Sequence, residues 1–181
     1  MQRMERRTFL VSPGAAASLQ TRSAASDRVG VGIIGCGGMG RADLVDFQKQ
    51  PEVEIRALCD VSEANLAAAD KLVSGGARPS AVTDFRRVLE RKDIDAVVVA
   101  TPDHWHPLMA VLACEAGKDV YVEKPISHNV REGRLMVEAA RRHRRVVQVG
   151  IQQRSGAHFQ RAVKAVREGR IGKVHFAQCW N

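Results

Sequence analysis

The chain has 181 residues, 45% hydrophobic and 27% charged, which suits one well-buried globular domain and is short for two. It has no run of eighteen apolar residues, so no membrane-spanning helix is expected. The net charge of +8 raises nucleic acid as a partner, but neither arginine cluster (Arg3, Arg6, Arg7 and Arg22, or Arg141, Arg142, Arg144 and Arg145) is interleaved with aromatic residues, and nucleic-acid binding is not expected.

Residues 1–27 carry no period that a core could use. Glu5-Arg6-Arg7-Thr8-Phe9-Leu10 resembles a twin-arginine export signal, followed by a mild apolar stretch and the small residues Ser23-Ala24-Ala25. The match is incomplete, with Glu5 where Ser or Thr is usual and Val11 where Lys is frequent. Two readings stay open: a periplasmic or otherwise exported protein, or a cytoplasmic one with a disordered tail.

From Val29 the pattern is regular. Val29–Ile34 is short, apolar and β-branched, as a buried strand should be. Gly35-Cys36-Gly37-Gly38-Met39-Gly40 fits G-x-G-x-x-G at Gly35, Gly37 and Gly40. A helix is predicted next, with Leu44, Val45 and Phe47 inward and charged residues between them. The strand Val53–Cys59 then ends at Asp60. In this order the glycines allow a tight turn, a close backbone approach to a diphosphate and close helix–strand packing. The helix start offers free N–H groups to the phosphates. Asp60 would accept hydrogen bonds from ribose hydroxyls and repel a 2′-phosphate, favouring NAD over NADP. Arg41 pulls the other way, since it could attract a phosphate.

Ser62 is read as the N-cap of a helix reaching about Val73, with Leu66, Ala69 and Val73 on one side. A short strand at Ala81-Val82 leads to Asp84, the cap of a helix over Phe85–Glu90. The strand Ile94–Ala100 follows, ending at Thr101-Pro102-Asp103-His104-Trp105-His106-Pro107. Helix Leu108–Ala116 stops at Gly117 as a C′ glycine. Strand Val120–Val122 runs into Glu123-Lys124-Pro125, and helix Val130–Arg142 and strand Val146–Val149 complete the alternation. Strands alternating with helices imply an α/β fold, a doubly wound parallel sheet whose ligands lie beyond the carboxyl ends of the strands. The polar clusters after those strands therefore converge on one edge. The cysteines Cys36, Cys59, Cys114 and Cys179 are far apart and form no C-x-x-C, so no disulfide framework is expected. His104 and His106 form H-x-H without a supporting ligand, and no metal site is expected.

The glycine turn with Asp60, Ala100-Thr101-Pro102 with His106, and Gly117-Lys118-Asp119-Val120-Tyr121-Val122-Glu123-Lys124-Pro125 together resemble the Gfo/Idh/MocA oxidoreductases, which include glucose–fructose oxidoreductase and inositol dehydrogenase. The resemblance covers about residues 28–181. It implies a Rossmann domain, NAD or NADP, and hydride transfer at a sugar or cyclitol carbon. On it, Lys124 and Glu123 belong to the catalytic centre. Gly35, Gly37, Gly38, Met39, Gly40, Asp60, Thr101, Pro102, His106, Glu123 and Lys124 hold the cofactor, and Lys124 and Arg154 meet a small carbohydrate-like substrate. The residues leave some roles double: His106 could bond the cofactor or neighbouring backbone. Trp105 could cover the cofactor or simply pack, and Arg154 could touch substrate or hold a crossover.

The expected domain plan is a tail over 1–27, a nucleotide-binding domain over 28–150, and the start of a second α+β domain over 151–181. Of the second domain only the first helix, His158–Glu168 with Phe159, Ala162, Val163 and Val166 inward, and the first strand, Val174–Trp180, are foreseen. The chain then reads as part of a longer protein that forms a homo-oligomer at full length. Two other readings remain open, a dinucleotide-binding sensor without catalysis and a Rossmann enzyme for another nucleotide.

Overall fold

The computed structural model describes residues 28–179; the arginine-pair tail and Trp180 lie outside the described residues. Strands β1 (Val29–Ile34), β2 (Val53–Cys59), β3 (Ser80–Val82), β4 (Ala96–Val99), β5 (Asp119–Glu123) and β6 (Val147–Gly150) form one sheet. Its order is β3-β2-β1-β4-β5-β6 and every neighbouring pair is parallel. The order reverses between β1 and β4, and that switch point is where an open α/β sheet leaves its crevice.

Helices α1 (Gly38–Phe47), α2 (Glu63–Asp70), α3 (Phe85–Leu89), α4 (His106–Glu115) and α5 (Val130–His143) connect the strands. Alternating strand residues feed two cores. Val97 and Val99 pack with residues of α3, α4 and α5, whereas Val98 packs with Leu44 of α1 and with Leu66 and Ala69 of α2. The alternation slips in β2. Between the partners of Val31 and Gly32 an extra residue, Arg56, is inserted, so Ile55 and Leu58 join one core while Ala57 and Cys59 join the other.

The predicted caps hold. Ser62 accepts from the Asn65 amide and Asp84 from the Arg86 amide, and Gly117 follows α4 with φ of 75°. At the end of α5, Arg141 and Arg142 occupy the last turn, where cations complement the helix dipole.

Three expectations are corrected. In α1 the inward stripe is Gly40, Asp43, Leu44 and Phe47, at i, i+3, i+4 and i+7, which turns Val45 outward and buries a carboxylate in its place. Helix α6 (Ala157–Arg167) forms, but Phe159, Val163 and Val166 are exposed among the described residues, and Ala162 is exposed too. Residues 174–179 are not a strand: no described strand offers them a ladder.

Candidate functional site

The glycine turn is shaped by contacts that leave no room for side chains. Gly35 has φ of 92°, and a Cβ there would stand 2.6 Å from the Ala100 carbonyl oxygen. At Gly40 a Cβ would stand 1.8 Å from the Gly35 carbonyl oxygen, so turn and helix touch backbone to backbone. Gly37 and Gly38 differ: a Cβ at either meets nothing within 4 Å. Open space thus lies over the start of α1, whose N-cap residue Gly37 supplies no side-chain cap. The first amides of a helix have no partner of their own, so this start presents N–H groups and a positive dipole end to an anion. Met39 is exposed beside them.

Asp60 fastens the turn to the end of β2. Its Oδ2 accepts from the Cys36 amide at 2.7 Å and from Asn65 Nδ2 at 3.3 Å, and Oδ1 accepts from the Ser62 amide at 2.8 Å. Arg41 donates from Nη1 to the Cys36 carbonyl at 2.8 Å, which engages its guanidinium with the same turn. Burial pushes the Cys36 thiol up to about 11 and the Cys59 thiol to about 12, with neighbouring negative charge adding to each.

A cavity of about 570 Å³ opens beyond these strand ends, lined by Gly35, Gly37, Asp60, Asn65, Thr101, Pro102 and Trp105 among others. A dinucleotide fits this wall: Gly37 leaves the space a diphosphate needs, and Asp60 offers acceptors on the ribose side. Thr83, Asp84, Phe85 and Arg86, after β3, also line the cavity and were missed from sequence. The rule that ligands lie beyond strand carboxyl ends applies to β3 as well and would have found them.

The β5 end is built around Glu123, which is 3% exposed. Its Oε1 accepts from Gln152 Nε2 at 2.8 Å and from the Tyr121 hydroxyl at 3.4 Å, and Oε2 accepts from the Lys124 amide at 3.3 Å. A Cβ at residue 150 would fall 2.3 Å from that Oε1, so only glycine leaves the carboxylate its place. Asp43 of α1 is 5% exposed, and its Oδ2 has no partner. Burial, then the charges of Glu123 and Asp46, push its carboxyl up to about 7. Burial also raises the Tyr121 phenol to about 12, assisted by Asp43 and Glu123, while its ring packs edge-on to Phe47 at 5.4 Å.

Lys124 is exposed, and its side chain makes no hydrogen bond among the described residues. His106 is 1% exposed, with Nδ1 2.7 Å from the Pro125 carbonyl oxygen and Nε2 2.7 Å from that of Thr101. Of its two foreseen roles, the backbone one is occupied. Trp105 lines the cavity while remaining exposed. Arg154 sits in a 3₁₀ turn over Gln152–Ser155 and lines a separate cavity of about 810 Å³ with Phe159 and Val163 of α6. Among the described residues no three His, Cys, Asp or Glu side chains group to hold a metal, and no helix is long and apolar enough to cross a membrane.

Residues 29–151 match the Gfo/Idh/MocA family, described as an oxidoreductase family with an NAD-binding Rossmann fold. The chain belongs to the Gfo/Idh/MocA oxidoreductases. A relative named uncharacterized oxidoreductase YrbE, from Bacillus subtilis, is 31% identical over 145 residues, which are 80% of this chain and 41% of its own. A glycosyl hydrolase family 109 protein from Saccharopolyspora erythraea is 35% identical over 161 residues, 84% of this chain and 34% of its own. The chain thus spans less than half the length of these curated relatives. Among solved structures, WlbA dehydrogenase from Bordetella pertussis, in complex with NADH and UDP-GlcNAcA, aligns with a TM-score of 0.71 at 27% identity, over 81% of this chain and 41% of that one. Scyllo-inositol dehydrogenase from Lactobacillus casei, with bound NAD(H) and scyllo-inositol, gives 0.70 at 27% identity, over 81% and 43%. In this Gfo/Idh/MocA chain the glycine turn and Asp60 stand together at the carboxyl ends of β1 and β2.

Proposed function

We propose that the chain is the nucleotide-binding part of an NAD(P)-dependent oxidoreductase that acts by hydride transfer on a sugar, polyol or cyclitol. The observation that carries this reading is the uncapped start of α1, with open space over Gly37, at the same sheet edge as Lys124. Gly35, Gly37, Gly38, Met39 and Gly40 hold the diphosphate, Asp60 the ribose, and Thr101 and Pro102 the nicotinamide side. Bound there, a nicotinamide nucleotide supplies a hydride donor or acceptor. Lys124 donates from Nζ to the substrate's hydroxyl or carbonyl oxygen, stabilises negative charge developing there, and moves the proton at that oxygen. Glu123 positions Lys124 by accepting from its amide. Asp60, held by three donors, faces the cavity with a negative charge that favours NAD over NADP.

Calorimetry of the chain with NADH and NADPH tests the cofactor assignment. Heat from NADH is expected, and Asp60→Ala should narrow its preference over NADPH by about tenfold. An absence of heat from both nucleotides would end the proposal. Lys124→Ala should keep NADH binding and abolish sugar-dependent reduction by the full-length protein.

The proposal extends to the rest of the chain. Residues 151–181 begin a substrate domain, a reading supported by the uncovered apolar row on α6 and by Arg154 beside it. The full-length protein is a homo-oligomer, which light scattering tests, and residues 1–27 direct its export, which a reporter fusion lacking Arg6 and Arg7 tests. A second reading, glycoside cleavage, is favoured by the 35% identity to the glycosyl hydrolase family 109 protein. Release of an aglycone with no net change in NADH absorbance would select it.

A further inference from the structure

Strands β4 and β5 are paired in register as far as Val99 and Val122. Beyond that pair the two strands part while each stays bonded on its other side, the Ala100 amide to the Ile34 carbonyl at 2.8 Å and Glu123 paired with Gly150 of β6. One then enters the Thr101-Pro102 turn and the other Lys124-Pro125. Past the last ladder pair β4 and β5 share no backbone hydrogen bond with each other. One buried side chain reaches both. His106, the first residue of α4, lies 2.7 Å from the Pro125 carbonyl oxygen through Nδ1 and 2.7 Å from the Thr101 carbonyl oxygen through Nε2. Carbonyl oxygens only accept, so a neutral ring donates to one of them at a time, and both contacts are hydrogen bonds together only on the doubly protonated ring, which carries an N–H on each side. Thr101 is tied further, with Oγ1 3.7 Å from Met109 Sδ on the next turn of α4.

We propose that His106 is a positioning residue: with an N–H on both ring nitrogens it clamps the Thr101 and Pro125 carbonyls together and so helps to set the gap between the wall of the nucleotide cavity and Lys124. The proposal rests on the reading of Lys124 as the substrate-facing group only for its catalytic consequence; the clamp itself is a property of the folded chain. Helix α4 gives it a rigid mount, since its residues Met109, Ala110, Ala113 and Cys114 are buried in the core.

The test uses His106→Asn, whose amide reaches the place of Nδ1, His106→Gln, whose amide reaches the place of Nε2, and His106→Leu, which reaches neither carbonyl. Backbone hydrogen exchange over residues 100–103 and 124–128 is followed by mass spectrometry, with far-UV circular dichroism confirming the fold. A clamp couples the two turns, so losing either bond should speed exchange in both by about tenfold, even in the Asn and Gln variants. If each variant loosened only the turn whose partner it lost, or neither turn, the clamp would be overturned. A second readout is acetylation of Lys124. In the wild-type chain NADH should slow it about tenfold, and in the folded His106→Asn and His106→Gln proteins that protection should fall several-fold. Full protection in those variants would also overturn the proposal. Failure of the cofactor reading shows separately, as missing heat from both nucleotides while the exchange result stands.

Discussion

Asp43 gives the sharpest test of how this site is built. A buried carboxyl with an unpartnered oxygen beside the Glu123 charge keeps its proton to about pH 7, against an ordinary value of 3.8. In the unfolded chain the same group ionises from about pH 4 upward. Over that interval the folded state binds the extra proton, so raising the pH favours unfolding, and the loss stops once the folded-state carboxyl has also ionised. The full difference corresponds to about 4 kcal/mol, a large share of the 5–15 kcal/mol that holds a domain together. Asp43→Asn keeps the shape of the neutral acid and cannot ionise. Urea unfolding of both proteins, followed by circular dichroism, should show the variant more stable at every neutral pH. Its advantage should be about 2–3 kcal/mol greater near pH 8 than near pH 5. An advantage that stayed constant with pH, or shrank as pH rose, would refute the argument that Asp43 is folded as a neutral acid.

Two further outcomes follow from the geometry of the glycine turn and the thiols. Gly40→Ala pushes a Cβ into the Gly35 carbonyl and should cost about 3 kcal/mol or prevent folding, measured by urea titration. Gly37→Ala adds its methyl to open space, so stability should change by less than about 0.5 kcal/mol while NADH affinity drops at least about tenfold. Equal stability losses in the two variants would contradict the contact pattern. With a disulfide reagent at mildly alkaline pH, exposed Cys179 should react quickly, and buried Cys36, Cys59 and Cys114 only after denaturation. Fast reaction of a second thiol in the folded chain would show the core to be looser than described.

Much of the fold is legible locally. Short β-branched runs, caps such as Ser62 and Asp84, and the C′ glycine at 117 act over a few residues, and each formed where the pattern placed it. The spacing from Gly35 to Asp60 is equally local, because one strand–turn–helix–strand unit contains it. Asp43 escaped that reading because a carboxylate in a helix is ordinarily solvated, and only the i+3, i+4 stripe shared with Gly40, Leu44 and Phe47 carries it inward. The phase slip in β2 escaped too, since an inserted residue becomes visible only against the strand it pairs with.

The amino-acid order alone determined the succession of strands and helices, the glycine turn and the edge on which polar residues gather, since these depend on periodicity and on backbone geometry within single units. Tertiary structure decided what each polar group faces. It put His106 between two carbonyls, Glu123 under a glycine and Asp43 beside Glu123, and left the apolar row of α6 uncovered among the described residues. Burial and partnership are properties of residues distant in sequence, and no local pattern encodes the neighbour that a fold supplies.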